Sequence, residues 1–161
     1  MSVSGLSNRS MLERRITIPI TAIDAKLDET VLGLAKRKYE GKCGEEGYIM
    51  PGSLKVATRD AGTVDGSYVS FKLALACDVC FPVEGMTIDC VAKTVTSTAG
   101  IRAELDMQPS PLVIYIARDH HVGNEAYKQV VVGSTLKVTV IGQRFEVNDP
   151  YISVIAKLLD V

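Results

Sequence analysis

The chain has 161 residues, of which 47% are apolar, and its formal net charge is −1. This length and composition suit an ordinary globular protein with one domain or two small ones, and they exclude an intrinsically disordered chain. No apolar run approaches the roughly 20 residues that cross a bilayer, and neither half of the sequence has the positive excess expected of a protein that binds nucleic acid mainly through phosphates.

The opening of the chain predicts a flexible start followed by an edge strand. Residues 1–10 are small and polar and lack the apolar segment of a secretory signal, so we expect an intracellular protein. From Ile16 to Ile20, isoleucines stand at every second position, which indicates a strand over residues 11–20. Pro19 cannot donate a ladder hydrogen bond, so this strand should lie at an edge of its sheet.

A helix should follow the first strand. Apolar residues recur at spacings of four, four and three, at Ile23, Leu27, Val31 and Leu34. Asp24 is the expected N-cap, and Gly41 or Gly44 should end the helix. Three consecutive basic residues precede these glycines and complement the helix dipole in the last turn.

The remainder of the first half predicts strands. Residues 48–57 indicate a strand interrupted at residues 51–52, residues 58–66 indicate a loop rich in turn formers, and residues 68–81 indicate a long strand. The early part of the long strand alternates apolar and polar side chains, whereas its later part is apolar on both sides, as in a strand with both faces buried. We therefore expect a small sheet covered on one face by a single helix.

The second half of the chain predicts an all-β module. Residues 81–85, Phe-Pro-Val-Glu-Gly, break the strand pattern and indicate a domain boundary. Five short strands are predicted after it, at residues 86–96, 101–106, 112–117, 136–140 and 152–158. This series is typical of a small closed barrel, and the irregular residues 118–131 occupy the place of the variable connection in an oligonucleotide-binding barrel.

The four cysteines allow two interpretations. Cys77 and Cys80 have the two-residue spacing of a zinc knuckle or a redox pair, but Cys43 and Cys90 are 47 residues apart and no histidine lies near either. Cys77 and Cys80 also lie within a predicted strand. Buried free thiols are therefore the favoured interpretation, and metal binding is the alternative.

No arrangement of residues in the sequence predicts a catalytic site. His120 and His121 are adjacent, and no cysteine or second carboxylate stands at ligand spacing from them, so we interpret them as a pair in a loop or at a barrel rim. The glycine-rich residues 41–47 end a helix, whereas a phosphate-binding loop must begin one. We therefore expect a non-catalytic protein without a cofactor or a metal.

Several segments occur together in an order that resembles one protein family. They are Tyr-Glu-Gly-Lys-Cys at residues 39–43, Gly-Tyr-Ile at residues 47–49, the boundary at residues 81–85, and Val-Ala-Lys-Thr-Val-Thr-Ser-Thr-Ala-Gly-Ile-Arg-Ala-Glu-Leu at residues 91–105. Along residues 11–160 the chain resembles the seventh subunit of RNA polymerase II, a stalk subunit, and its archaeal and large-DNA-virus counterparts.

The resemblance implies an α+β protein with a flexible N-terminus at residues 1–10, a ribonucleoprotein-like domain at residues 11–82 and a barrel of S1 or oligonucleotide-binding type at residues 83–161. It implies a non-catalytic subunit of a DNA-directed RNA polymerase that docks beside the clamp, supports transcription initiation and contacts nascent RNA. The location would be the nucleus for a cellular protein, or the virion and host cytoplasm for a viral one. The alternative is a free-standing S1-type protein that binds single-stranded RNA in RNA processing or translation.

The resemblance also implies two sets of contact residues. By position, the tip that docks onto the polymerase core would comprise Tyr48, Met50, Pro51, Gly52, Arg59, Asp60 and Gly62. On the barrel, the residues expected to contact RNA are Lys93, Arg102, Tyr115, Arg118, His120, His121, Lys137 and Arg144. The implied partners are core subunits in the clamp region, a second small stalk subunit in many members and, weakly, nascent single-stranded RNA, and no membrane contact is expected.

Overall fold

Half of residues 6–159, the part of the chain that the computed structural model describes, form β-strands. The structure is a mixed α+β fold in which a sheet with one long helix precedes a closed five-stranded barrel. This confirms the α+β class and a closed five-stranded barrel, which is compatible with an oligonucleotide-binding fold. No helix within the described residues is long and apolar enough to span a membrane.

The first sheet is built around one long central strand. Its strands are β1 (Ser7–Pro19), β2 (Cys43–Gly44), β3 (Gly47–Ile49), β4 (Lys55–Arg59), β5 (Thr63–Asp65) and β6 (Tyr68–Cys80). Strand β1 pairs antiparallel with β6 over its whole length, from Ser7 opposite Cys80 to Pro19 opposite Tyr68. The other edge of β6 is covered in turn by β3, β4 and β5, and β2 pairs with β3. Strand β1 is thus an edge strand, as Pro19 predicted.

Strand β1 begins earlier than the sequence pattern predicted. Residues 7–10, expected to be part of a flexible N-terminus, pair with β6. All four of these residues are polar, so the sequence carries no apolar alternation there. Residues 1–5 of the predicted flexible segment lie outside the described part of the chain.

The helix lies where the apolar spacing predicted it. A short 3-10 turn at Ile20–Ala22 leads to α1 (Leu27–Tyr39), whose Val31 and Ala35 are buried against the sheet. Asp24 is not the N-cap, because its Oδ1 accepts a hydrogen bond from the backbone N–H of Lys26 (2.8 Å) in the preceding turn. The N-cap is Lys26, without a side-chain cap bond. The helix is followed by Gly41, whose φ of 72° is the left-handed conformation that favours glycine.

The barrel contains the five predicted strands. They are β7 (Thr87–Thr96), β8 (Gly100–Glu104), β9 (Leu112–Ala117), β10 (Thr135–Arg144) and β11 (Ile152–Leu158). The cyclic order β7-β8-β9-β11-β10 closes because β10 pairs with β7, and only the pairing of β11 with β9 is parallel. The connection after β9, predicted to be irregular, contains a 3-10 turn at Arg118–His121 and the short helix α2 (Glu125–Lys128).

The sheet and the barrel are packed against each other through the end of β6. Tyr48 and Cys80, directly opposite on β3 and β6, belong with Cys43 to the apolar core of the barrel, whereas Cys77 belongs to the core under α1. The backbone of Cys43 also exchanges two hydrogen bonds of 2.8 Å with the turn before β11, donating to the Asp149 carbonyl and accepting from the N–H of Asn148. This contact holds the sheet end on the barrel.

The four cysteines are buried free thiols, as predicted. Cys77 and Cys80 face opposite sides of β6 and lie in different cores, so their side chains do not converge. Burial raises the pKa of Cys43, Cys80 and Cys90 to about 12, which keeps these thiols protonated at neutral pH. Within residues 6–159, no group of three or more His, Cys, Asp or Glu side chains is arranged to hold a metal ion.

Candidate nucleic-acid interface

One outer face of the barrel combines a cation, an aromatic ring and an apolar side chain in a single row. Strand pairing places Thr94 of β7 opposite Arg102 of β8, Arg102 opposite Tyr115 of β9, and Tyr115 opposite Ile155 of β11. These side chains point outward because the residues between them along each strand fill the barrel. Tyr115 is 41% exposed and Ile155 is 48% exposed, so the row presents a ring and apolar surface to solvent.

The guanidinium of Arg102 can bind a phosphate at a small cost in free energy. Its guanidinium lies 3.5 Å from Oε2 of Glu104 in a partly exposed ion pair. Such surface pairs contribute at most about 1 kcal/mol, so an anionic ligand can compete for the guanidinium. Lys93 is exposed and lies at the β-bulge between Ala92 and Thr94, which places it beside the row.

Arg118 extends this face toward the hairpin between β7 and β8. It is exposed, follows β9 directly, and its Nη1 donates to the carbonyl of Ser97 in the hairpin (3.0 Å). One guanidinium thus joins two loops at the edge of the barrel face and still has other N–H groups to donate. Lys93, Arg102, Tyr115 and Arg118 are the members of the predicted RNA-binding set that the fold brings together; we call them the barrel face.

Two predicted cations lie apart from the barrel face. Lys137 and Arg144 are both on β10, where Lys137 is opposite Asp89 of β7 and Arg144 is opposite Ser153 of β11. Strand β11 separates β10 from Tyr115. Both side chains are exposed, but neither is directly opposite Arg102 or Tyr115; Arg144 lies two residues along β10 from Gly142, which is opposite Ile155.

The adjacent histidines have different environments. His120 is exposed, whereas His121 is only 4% exposed, so its ring is not presented on the surface with the other residues predicted to contact RNA. Nε2 of His121 accepts a hydrogen bond from the N–H of Leu158 (2.8 Å), which places the ring proton on Nδ1, 2.7 Å from the Ala117 carbonyl. Its ring also stacks on Tyr127, with centroids 4.9 Å apart. His121 therefore has a structural role, because it links the connection after β9 to strand β11.

The predicted docking tip is divided between two places, and part of it is buried. Tyr48 is fully buried in the barrel core, and Met50 packs against the same core. Pro51 and Gly52 are exposed in the turn that follows, but this turn lies near the barrel, because the N–H of Met50 donates to the carbonyl of Asp78 (2.9 Å) at the barrel end of β6. Tyr48 and Met50 are therefore not at a free tip, since the barrel covers them.

The loop from Arg59 to Gly62 is held by internal contacts. Nε of Arg59 lies 2.7 Å from Oδ1 of Asp28, and its guanidinium lies 5.2 Å from the centre of the Phe71 ring. Oδ1 of Asp60 accepts from the N–H of Gly62 (3.1 Å) and from the N–H of Lys72 (3.0 Å). Arg59 and Asp60 thus stabilise the sheet, although Asp60 remains exposed.

Exposed apolar residues at the end of the sheet farthest from the barrel were not among the predicted contact residues. Strand β6 spans 13 residues, so Tyr68 and Cys80 are about 40 Å apart along it. At the Tyr68 end, Ile20, Ile23 and Val64 are 47%, 37% and 65% exposed. We call these three residues the distal tip. Their signal in the sequence is the presence of apolar side chains in segments otherwise rich in turn-forming residues.

Comparison with protein-family models gives no match for this chain, and comparison with curated proteins gives none either. Neither result assigns the chain to a family.

Proposed function

We propose that the protein is a non-catalytic stalk subunit of a multi-subunit DNA-dependent RNA polymerase. In this proposal the sheet and α1 form a ribonucleoprotein-like domain that docks beside the clamp, and the barrel contacts nascent RNA. The choice of RNA polymerase comes from the sequence resemblance over residues 11–160. The order of the structural units supports it, since a sheet covered by a helix is followed by a closed barrel.

The observation that carries the docking role is the distal tip. Its exposed apolar side chains come from two segments, residues 20–23 after β1 and strand β5. The N–H of Ile20 donates to the carbonyl of Ser67 (2.9 Å) in the turn between β5 and β6. Exposed apolar groups that cluster at one end of an elongated sheet favour association with another protein. The docking set proposed here is therefore Ile20, Ile23 and Val64, in place of Tyr48, Met50 and Arg59.

The barrel face supports the second half of the proposal. Tyr115 can stack a base, and Arg102, Lys93 and Arg118 can contact phosphates around it. The net charge of −1 limits the electrostatic part of the affinity, so the chain alone should bind RNA weakly. Weak contact suits a subunit that is held near the transcript by its partner.

A pull-down with the polymerase core tests the docking role. The double variant Ile20→Asp/Ile23→Asp introduces two charges into the distal tip and should lose about tenfold or more in core association, since desolvating an unpaired carboxylate at an interface costs more than about 1.4 kcal/mol. Val122→Asp is the matched control because Val122 is 87% exposed on the barrel, far from the tip. Circular dichroism would check that each variant is folded.

Three outcomes separate the hypotheses. Association that survives the tip variant contradicts the docking assignment, and a native protein that co-purifies with no polymerase subunit contradicts the stalk role. Crosslinking of the transcript to the barrel should decrease in Tyr115→Ala while core association stays unchanged. Tight binding of the isolated chain to single-stranded RNA, with a steep salt dependence and no polymerase association, would instead support the free-standing S1-type protein.

A further inference from the structure

The open face of the first sheet carries a row of three hydroxyl groups. Helix α1 covers one face of the sheet, and on the opposite face the pairing places Thr17 of β1 and Thr63 of β5 on either side of Ser70 of β6. Oγ of Ser70 accepts from Nη1 of Arg15 (3.3 Å) and from Oγ1 of Thr17 (3.4 Å). Its own O–H remains available to donate to a ligand.

The neighbouring row on the barrel side places two cations directly opposite each other. Arg15 of β1 pairs with Lys72 of β6, and both side chains are exposed on the open face. Like charges at directly opposed positions destabilise an antiparallel pair. Neither cation forms an ion pair with any group in residues 6–159. Two opposed cations without an ion-pair partner in this part of the chain, beside a hydroxyl that can donate, are suited to an anion.

The row on the distal side adds an aromatic ring and a carboxylate. Tyr68 is 52% exposed, and Asp65 of β5 is directly opposite it. Together with Arg15 and the three hydroxyl residues, these side chains line a hollow of about 370 Å³. Lys72 and Tyr68 are about 13 Å apart along β6, so the cations and the ring lie at opposite ends of the surface.

The nearby carboxylates favour one position for an anionic ligand and do not prevent its binding. Asp65 repels a phosphate at the ring end, and Glu13 of β1 lies one row beyond Arg15 on the barrel side, opposite the small Ala74. Asp60 lies beside Lys72 at the edge of β6, where its Oδ1 accepts from the N–H groups of Gly62 (3.1 Å) and Lys72 (3.0 Å). A phosphate is therefore favoured between Asp65 and Glu13, at Arg15, Lys72 and Ser70. The carboxylate of Asp65 can accept an N–H or O–H from a base or a sugar.

We propose that this open face binds the backbone of a single-stranded nucleic acid, with a phosphate at Arg15, Lys72 and Ser70 and a base stacked on Tyr68. The site is separate from the barrel face, and its Tyr68 end borders the distal tip, because Asp65 directly follows Val64 on β5. The proposal rests on the stalk function only for the source of the nucleic acid, which would be the emerging transcript.

Fluorescence anisotropy with a labelled short oligouridylate at low salt tests the site in the full chain. Lys72→Glu should weaken binding about tenfold or more, because a charged hydrogen bond to phosphate is removed and repulsion replaces it. The slope of log affinity against log salt should fall by about 0.7 for each phosphate that the variant no longer neutralises. Lys55→Glu is the matched control, since Lys55 is exposed on the same face but lies two rows from Lys72, opposite Ala76.

The Tm of the same variant distinguishes loss of the binding site from misfolding. A carboxylate opposite Arg15 replaces repulsion with attraction, so Lys72→Glu should raise the Tm by up to about 3 °C while it weakens binding. Tyr68→Ala should also weaken oligouridylate binding. Inorganic phosphate, titrated as a separate ligand, should bind far more weakly than the oligonucleotide and compete with it.

The outcomes are distinct. Oligouridylate binding that is equal in Lys72→Glu and the unchanged chain overturns the site, whether or not the protein docks on a polymerase. Phosphate binding that depends on Lys72 without any oligouridylate binding overturns the nucleic-acid ligand. If Lys72→Glu loses oligouridylate binding and still associates normally with the polymerase core, both proposals are supported. If binding is lost in the same way but the protein never associates with a polymerase core, the site is supported and the stalk function is contradicted.

Discussion

Replacement of His121 by alanine should destabilise the barrel while replacement of His120 should not. In His121→Ala the buried N–H of Leu158 loses its acceptor, and the Ala117 carbonyl loses its donor. Leaving a buried N–H without a partner costs about 1–3 kcal/mol, and the stacked contact with Tyr127 contributes about 0.5–1.5 kcal/mol more. The free energy of unfolding should therefore fall by about 2–4 kcal/mol.

Urea unfolding followed by circular dichroism measures this loss. The midpoint should shift to lower urea with an unchanged slope, and the Tm should fall by about 5–15 °C for a chain of this length. His120→Ala is the matched control, because an exposed side chain without such contacts changes stability by about 0.5 kcal/mol or less. Equal losses in the two variants, or a loss under about 1 kcal/mol in His121→Ala, would refute the structural role of His121.

Three further predictions concern the glycines and the thiols. Gly100→Ala should cost about 3 kcal/mol or more in urea unfolding, because Gly100 has a φ of 116° and an added Cβ would collide with the Ile116 carbonyl oxygen between β8 and β9. Gly33→Ala should raise the free energy of unfolding by up to about 1 kcal/mol, since this α1 position has open space around it and alanine favours the helix; a decrease would contradict the helical assignment. Burial raises the pKa of Cys90 from 9.0 to about 12, so the neutral thiol stabilises the fold fully below pH 9 and this contribution is lost as the pH rises toward 12. Urea unfolding between about pH 8 and about pH 11 should show a shallower alkaline decline in Cys90→Ala than in the unchanged chain, and identical declines would contradict burial of the thiol.

The barrel could be predicted from the sequence because its signal is local. Ile101, Ala103 and Leu105 alternate with polar residues and are all buried, while Arg102 and Glu104 face outward. A period of two specifies which side of a strand enters a core, whatever the strands beside it are. The series of five short strands also predicted closure of the barrel. The parallel β9–β11 pair was not predicted, because it depends on long-range pairing that a local pattern does not specify.

The positions of the residues predicted to form a docking tip depend on pairing register, which local patterns do not specify. The turn signal at residues 51–52 correctly marked a break between strands, but the predicted loop at residues 58–66 was wrong, because it contains the end of β4 and strand β5. Nothing local states which part of β6 each neighbouring strand covers. Register places Tyr48 opposite Cys80, beside the barrel, and Asp65 opposite Tyr68, at the far end. An error in this long-range assignment moves a predicted contact residue by the length of the sheet.

The two histidines show a second limit of local patterns. His120 and His121 are adjacent and chemically identical, and they lie in a 3-10 turn, where the period of two does not apply. Only the position of β11 decides between them, because the N–H of Leu158 needs an acceptor at the barrel rim. Tertiary hydrogen bonding thus assigned one histidine to the core and left the other exposed.

The pattern of polar and apolar residues along β6 also reflects which elements pack against each part of the strand. Its early residues alternate because α1 covers one face and solvent the other, so Phe71 and Leu73 are buried while Lys72 is exposed. Near the end of the strand this alternation stops, and Val79 and Cys80 are both buried. The reason is that α1 packs on one side of this end and the barrel on the other. The point at which polar alternation stops therefore marks where the barrel begins to cover the sheet, and the residues before it form the open face that is available to a ligand.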